Sequence, residues 1–279
     1  MDRREFVLAA AAAALHGPTG ARSYVTADLE SHVAVVDLTS GRVVRRIRTQ
    51  PGPRSIERVG DRYVVAHTTA GKVTVLGRAE LDVDEPRYTA GDGRIAYVTD
   101  SGTPQVVAVD VLRGVVVGRV RLKQWPRHVT RAGTTLYVAL STASPELAVV
   151  DARSLELVRY ARPGLNVHDV NVAPSGRLWL TSGDERTILA GGRRLAADAP
   201  PQHVTFAHGR AYVTSGDDGT LRVYDERTSR LLRTVRVPVG SYNVQHVAGD
   251  VVTPSLAAGT LTVLGGARVH VARSCHDAA

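Results

Sequence analysis

One unit recurs along the whole sequence: an aromatic residue, a valine and a small or hydroxylated residue, then a tight turn, then a valine-rich run ending in aspartate. The aromatic positions are Tyr24, Tyr63, Tyr97, Tyr137, Trp179 and Tyr212, and Val252 stands in the same place in Val251-Val252-Thr253. The steps between them are 39, 34, 40, 42, 33 and 40 residues. A period near 40 residues that holds several short strands marks the blades of a propeller. Seven such units predict an all-β chain folded as a seven-bladed β-propeller with four-stranded blades.

Local chemistry agrees with that reading. In residues 210–225, Val, Tyr and Thr suit a pleated, half-buried surface, whereas Gly216-Asp217-Asp218-Gly219 cannot extend it. Third strands are expected at 32–37, 72–76, 105–110, 146–151, 186–190, 220–225 and 260–264, with fourth strands such as 43–48 and 115–122. Long units turn after Asp37, Asp151 and Asp225, whose carboxylates can bond the backbone that follows. Short units turn at Gly191-Gly192 and Gly265-Gly266. These aspartates read as turn formers rather than catalytic acids. The first unit has no first strand of its own. The C-terminal run Ser274-Cys275-His276-Asp277-Ala278-Ala279 resembles His168-Asp169-Val170-Asn171, which leads the fifth unit. The tail is therefore expected to supply the missing strand, closing the ring and hiding edges that an open array would expose.

Composition narrows the function classes. The chain is 43% apolar, mostly Val, Leu and Ala, with only 2 Phe and 1 Met, which favours strands. No apolar run approaches the roughly 18 residues of a bilayer span, so no transmembrane anchor is expected. The net charge of +8 rests on scattered arginines, with Lys72 and Lys123 the only lysines. Solvated strand faces account for that pattern, and nucleic acid is not an expected partner. The single cysteine, Cys275, allows no intrachain disulfide, and no Cys-x-x-Cys-His haem attachment is present. Arg3-Arg4 before the short apolar run 9–15 resembles a twin-arginine export signal, with Thr19-Gly20-Ala21 where a peptidase would cut. The expected organisation is an export signal over 1–21 and one propeller over 22–279, in a monomer exported to the periplasm or beyond.

The first strand of each blade lines the central channel, so residues that open those strands ring one mouth. Nine residues before each anchor stand Arg54, Tyr88, His128, Val170, His203 and Asn243. A longer turn in the fifth unit would bring His168 and Asp169 there instead, and the tail adds His276 and Asp277. Gln245-His246-Val247 resembles Gln202-His203-Val204, but His246 lies three residues late and joins the ring only if its hairpin is shorter. Arg87 stands in a Pro-Arg pair like Pro53-Arg54 and Pro126-Arg127. The candidate ligand-binding set is Arg54, Arg87, His128, His168, Asp169, His203, His246 and His276. Within it, His128, His168, His203 and His276 are candidate ligands of a divalent or transition metal, which a nearby Asp169 or Asp277 would join or orient. One imidazole could serve instead as a general base near neutral pH. Arg54 and Arg87 favour an anionic ligand. Mouth histidines can equally do no more than bond loop carbonyls. His32 and His67 read as surface or packing residues of outer strands, His270 as exposed, Cys275 as core, and the aromatic anchors as blade packing.

Tyr24-Val25-Thr26, Tyr97-Val98-Thr99 and Tyr212-Val213-Thr214, with Val172-Ala173-Pro174-Ser175-Gly176-Arg177, resemble the YVTN-repeat family of β-propellers over residues 22–279. The stretch from His168 to Trp179 is similar to one repeat of virginiamycin B lyase-like propellers. The first resemblance implies a non-enzymatic binding protein that holds a small anionic ligand, a metal ion or a partner protein at the channel mouth. The second covers one repeat and carries no activity across; the alternative, a metal-assisted lyase or hydrolase that uses the mouth histidines, rests on the histidines and aspartates clustered at the axis. The superfold hosts both, so the site must decide.

Overall fold

A computed structural model describes residues 20–141 and 144–279. The chain forms seven antiparallel sheets in sequence order, six of four strands and one of three, and no helix among the described residues. The three-stranded sheet is the first blade, built from Arg22–Ala27, His32–Asp37 and Arg42–Arg48. Its inner edge is covered by the C-terminal tail. Tyr24 N donates to Ala279 O at 2.7 Å, Ala279 N to Tyr24 O at 2.9 Å, and Thr26 N to Asp277 O at 2.9 Å. A further antiparallel bridge joins Val25 and Ala278. The tail thus completes blade one, and the ring closes between its two chain ends as the sequence pattern predicted.

The expected third strands at 32–37, 105–110 and 220–225 are His32–Asp37, Gln105–Asp110 and Thr220–Asp225. The turn aspartates behave as their position implies. Asp37 Oδ1 accepts from Ser40 N at 2.8 Å, and Asp151 Oδ1 from Arg153 N and Ser154 N at 2.8 Å each. Asp225 Oδ1 accepts from Thr228 N at 2.7 Å. At the short turns Gly191, Gly192 and Gly265 have φ of 56°, 89° and 80°, a region that glycine enters without steric cost. The export-signal expectation falls almost wholly on residues outside those described. Of its last two residues, Ala21 already belongs to blade one, where its carbonyl accepts from Leu38 N at 2.8 Å.

The core lies between blades rather than within one sheet. Trp179, Ile188 and Ala190 of blade five pack against Val204, Val213 and Tyr224 of blade six. Cys275 and Ala278 of the tail join the seam between blades one and seven, with Val25, Val252 and Leu261. Trp179 is fully buried, and Tyr24, Tyr97 and Tyr212 nearly so. The anchor aromatics are therefore packing residues, each burying a large apolar area where its blade meets a neighbour. His67 is also fully buried, with Nε2 3.0 Å from Thr74 Oγ1, and burial holds its imidazole down at about 4.

The hydroxyl of the Tyr-Val-Thr motif has its own task. Thr26 Oγ1 donates to the Arg54 carbonyl at 3.3 Å, and Thr99 Oγ1 to the Arg127 carbonyl at 3.2 Å. Thr181 and Thr214 donate in the same way to the carbonyls of Gln202 and Tyr242. Each threonine ties its blade to the opening of the next inner strand. A buried carbonyl is satisfied there, and those strand openings are fixed in the register that forms the site.

Candidate functional site

The inner strands of blades two to seven are Pro53–Val59, Pro86–Gly91, Pro126–Ala132, Asp169–Val172, Val204–Ala207 and Gln245–Val247. Three of them open on a Pro-Arg pair, and all three pairs sit at a break in the ladder register. The register shifts between Pro53 and Ser55, between Pro86 and Thr89, and between Pro126 and His128. Proline has no N–H to give the ladder, so it suits a strand opening, and the extra residue of a bulge lets a side chain be re-aimed. Arg54, Arg87 and Arg127 occupy those bulges. Burial lowers the Arg127 guanidinium; Tyr88 opposes this, while Arg87 and Arg54 act in the same direction as burial, so the three cations share one mouth. Their Nε atoms are buried without a hydrogen-bond partner among the described residues. No ion pair ties any of the three to a carboxylate among those residues.

Tyr88, His128, Asp169 and His203 form the layer beneath the arginines. His128 Nδ1 lies 2.7 Å from Asp169 Oδ1, and His203 Nδ1 lies 3.6 Å from the same oxygen. Asp169 is 1% exposed. Its other oxygen, Oδ2, accepts from Val204 N at 2.8 Å, which locks the carboxylate and turns Oδ1 toward both rings. The contact with His128 misses hydrogen-bond geometry, so His128 Nδ1 and Asp169 Oδ1 are both buried without a hydrogen-bond partner. One donor atom each from His128, Asp169 and His203 falls within 4.8 Å of the other two, a group that could hold a metal ion. The Tyr88 hydroxyl is 3.2 Å from His203 Nε2 and fixes that ring from behind.

Electrostatics sort these groups by role. Burial pushes the Asp169 carboxyl up, but His128 and then His203 outweigh it and hold the group well below the usual carboxylate range. Burial lowers the His203 imidazole despite the nearby Asp169, so the ring favours its neutral, ligating form. Burial pushes the Tyr88 phenol up to about 12, which keeps it a hydrogen-bond donor or acceptor and never an anion near neutral pH.

The other expected site residues are placed differently. His168 is at the mouth, but Arg127 Nη2 donates to its Nε2 at 3.0 Å. Burial and then Arg127 hold that imidazole well below its usual value. His276 is buried against Asn243, whose Nδ2 is 3.2 Å from the ring Nδ1 and donates to the His276 carbonyl at 2.7 Å. Neither histidine falls in the convergent group with His128 and His203, and Asp169 takes the third place instead. Val170, counted to the mouth, is buried in the blade packing with Leu165 and Leu180. Asp169 stands in its place, because the longer turn of blade five shifts the strand by one residue. His246 is exposed and meets His208 edge-to-face with ring centroids 5.6 Å apart, by the hairpin turns at the opposite end of the inner strands. Its hairpin is not short enough to bring it to the mouth.

Two contributors escaped the sequence reading. Arg127 completes the set of Pro-Arg pairs, and that repetition was the available signal. Trp125 is 62% exposed and carries no repeat signal. With Arg87, Arg127 and Ser101 it lines a cavity of about 420 Å3 between blades three and four at the same mouth. Inward from His128, a polar cavity of about 180 Å3 runs along the channel past Thr130, Asn171 and Gln245 to Glu57 and Asp277. Burial raises the Asp277 carboxyl to about 7, and burial with the neighbouring Asp277 raises Glu57 to about 8.

Fold and site together define a seven-bladed β-propeller with a charged, histidine-bearing channel mouth. No protein-family model matches the chain, and no curated protein matches it. Many solved structures share its fold. AztD from Citrobacter koseri, in its apo form, is 13% identical with a TM-score of 0.72, covering 94% of this chain and 98% of that one. Hydrazine synthase from Kuenenia stuttgartiensis is 16% identical with a TM-score of 0.69, covering 86% and 91%. The β-propeller domain of Myceliophteria thermophila Cps50 (Swd1) is 16% identical with a TM-score of 0.66, covering 88% and 96%. At such identities the likeness is one of fold alone. No helix among the described residues is long and apolar enough to cross a membrane.

Proposed function

We propose that this chain is an exported, non-enzymatic binding propeller of the YVTN-repeat type that captures a divalent transition-metal ion at its channel mouth. The ligands are His128 Nδ1, Asp169 Oδ1 and His203 Nδ1. One observation carries the reading: three donor atoms from three consecutive blades converge, and two of them are buried with no other partner. The 2.7 and 3.6 Å separations bracket the ~3.3 Å edge of a tetrahedron drawn with zinc-like bonds of about 2 Å. Two imidazoles and one carboxylate suit zinc, nickel, cobalt or ferrous iron better than calcium or magnesium. Metal on His203 Nδ1 leaves the ring proton on Nε2, where the Tyr88 oxygen can accept it. The Val204 N–H orients the carboxylate in the same manner.

Three protein ligands leave a coordination position open, and an open position is also what a catalytic metal needs. That feature supports the second reading, metal-assisted hydrolysis or lyase chemistry. Binding is favoured because the other mouth imidazoles are already engaged, His168 by Arg127 and His276 by Asn243. His168 stands beside the ligand set, its ring centroid 5.5 Å from that of His203, with Nε2 taken by Arg127.

The test is metal content by elemental mass spectrometry on tag-free protein. About one transition-metal ion per chain is expected. His128→Gln and His203→Gln should each lower affinity by more than about 100-fold, beyond the 10–100-fold cost of losing an orienting partner. His168→Gln should retain the ion. Metal kept by both ligand variants, or none taken up by folded wild type from a zinc or nickel buffer, would overturn the assignment. Turnover of a matched substrate that is lost with the metal would move the second reading ahead.

A further inference from the structure

The three arginines above the metal ligands serve no purpose in holding a cation, and they oppose it. An ionised Asp169 offsets one of three guanidinium charges; the exposed Glu85 lines the cavity beside Arg87 and Arg127 without an ion pair to either, and a divalent cation adds to the positive charge. Surface arginines could relax into water, but the Nε atoms of Arg54, Arg87 and Arg127 are buried and without hydrogen-bond partners among the described residues. Each sits at a ladder break that opens an inner strand. The carbonyls of Arg54 and Arg127 are also held by threonines of the preceding blades. A site that fixes three guanidinium groups with no carboxylate partner among the described residues, Arg127 bonding only the His168 ring, beside a cation-binding group is built for a ligand that carries negative charge of its own.

We propose that the mouth binds a metal together with a small organic polycarboxylate, as one chelate. The anion's carboxylates take the arginine forks, whose paired N–H groups match a carboxylate in plane. One carboxylate oxygen fills the coordination position that His128, Asp169 and His203 leave open. The rest of the anion occupies the cavity of about 420 Å3 beside Arg87 and Arg127, against Trp125. A carbon skeleton gains from that aromatic wall, whereas a compact inorganic ion does not reach it. No bond is broken, so the ligand is cargo. This inference rests on the proposed metal site for its cation but has a separate residue set for its anion. Cation and anion relieve each other's repulsion, so each must strengthen binding of the other by the same factor.

Equilibrium dialysis with radiolabelled citrate tests the proposal, using metal-stripped protein, zinc-loaded protein, and each with excess phosphate or sulfate. Zinc loading should tighten citrate binding by about tenfold or more, within the usual range of coupling between sites. Arg87→Gln and Arg54→Gln should lose citrate and keep zinc, with melting temperatures near wild type. Trp125→Ala should weaken citrate without changing zinc affinity in its absence. Equal displacement by phosphate or sulfate at matched concentration would overturn the carboxylate class. Citrate retained undiminished by the arginine variants, or none bound by zinc-loaded wild type, would overturn the site. If no zinc binds at all, the proposed function and the chelate both fail. Citrate that is then bound by the metal-free chain and lost in Arg87→Gln would leave only an anion site.

Discussion

Asp277→Asn removes one buried carboxylate, and its repulsion of Glu57, from the pH dependence of the fold. Asp277 is 2% exposed in the closing strand, and burial raises its carboxyl from the usual 3.8 to about 7. A proton is therefore held in the folded chain where the unfolded chain has released it. The resulting stability is full below about pH 4, falls as pH rises through the window, and is gone above about pH 7. A shift of roughly three units corresponds to about 4 kcal/mol, with a slope of about 1.4 kcal/mol per pH unit inside the window. Asparagine resembles the protonated carboxyl and does not titrate. It retains one carbonyl oxygen for the Ile56 N–H and Ala278 N–H that Asp277 now accepts from at 3.1 and 2.9 Å. That loss adds an offset of about 1–3 kcal/mol that does not vary with pH. Urea unfolding of metal-stripped wild type and variant at pH 5, 6 and 7 reads the difference. The stability advantage of wild type should shrink by about 2 kcal/mol between pH 5 and 7, since the folded group is itself about half ionised at pH 7. Glu57 stays protonated in the fold across that range, because its carboxyl is raised to about 8. Parallel profiles for the two proteins would refute the buried-proton argument.

Two simpler outcomes follow from the ring's closure. Deleting residues 274–279 removes the pairing with Tyr24 and Thr26, at about 1 kcal/mol for each hydrogen bond, and bares the inner edge of blade one. The truncated chain should lose its cooperative melt and aggregate in size-exclusion chromatography; a sharp melt at the wild-type temperature would show that the tail does not close the ring. Cys275 is fully buried, and burial pushes its thiol up to about 12, so Ellman's reagent should find no thiol in native protein and one per chain in urea. Rapid native labelling would place that strand outside the core.

The mouth shows how far residue counting carries. Position nine before each anchor found Tyr88, His128, His203 and Asn243, because a hairpin of fixed length places equivalent residues at equivalent depth. At blade five the bare count gives Val170, whereas the longer turn, visible in the sequence, puts Asp169 in that place. It could not foresee that Arg127, adjacent to a counted histidine, joins Arg54 and Arg87. Bulges at Pro53, Pro86 and Pro126 let neighbouring residues serve the same mouth, and a bulge leaves no reliable mark in an unaligned sequence. His168 and His276 show the opposite limit. Both were counted as ligands by residue type, and both spend a ring nitrogen on a neighbour from another blade.

The sequence by itself determined the blade count, the turn chemistry and the closure of the ring. Those features follow from periodicity, from Asp and Gly turns, and from a tail that repeats an inner strand. All are local or repeated, so they are written at every copy. Only the tertiary structure decided that His128, Asp169 and His203 meet while His246 lies at the far end. Those residues come from different blades, separated in sequence by 41 and 34 positions. Their meeting depends on the small rotation between sheets, on bulges that re-aim single side chains, and on Val204 fixing one carboxylate oxygen so that the other faces the rings.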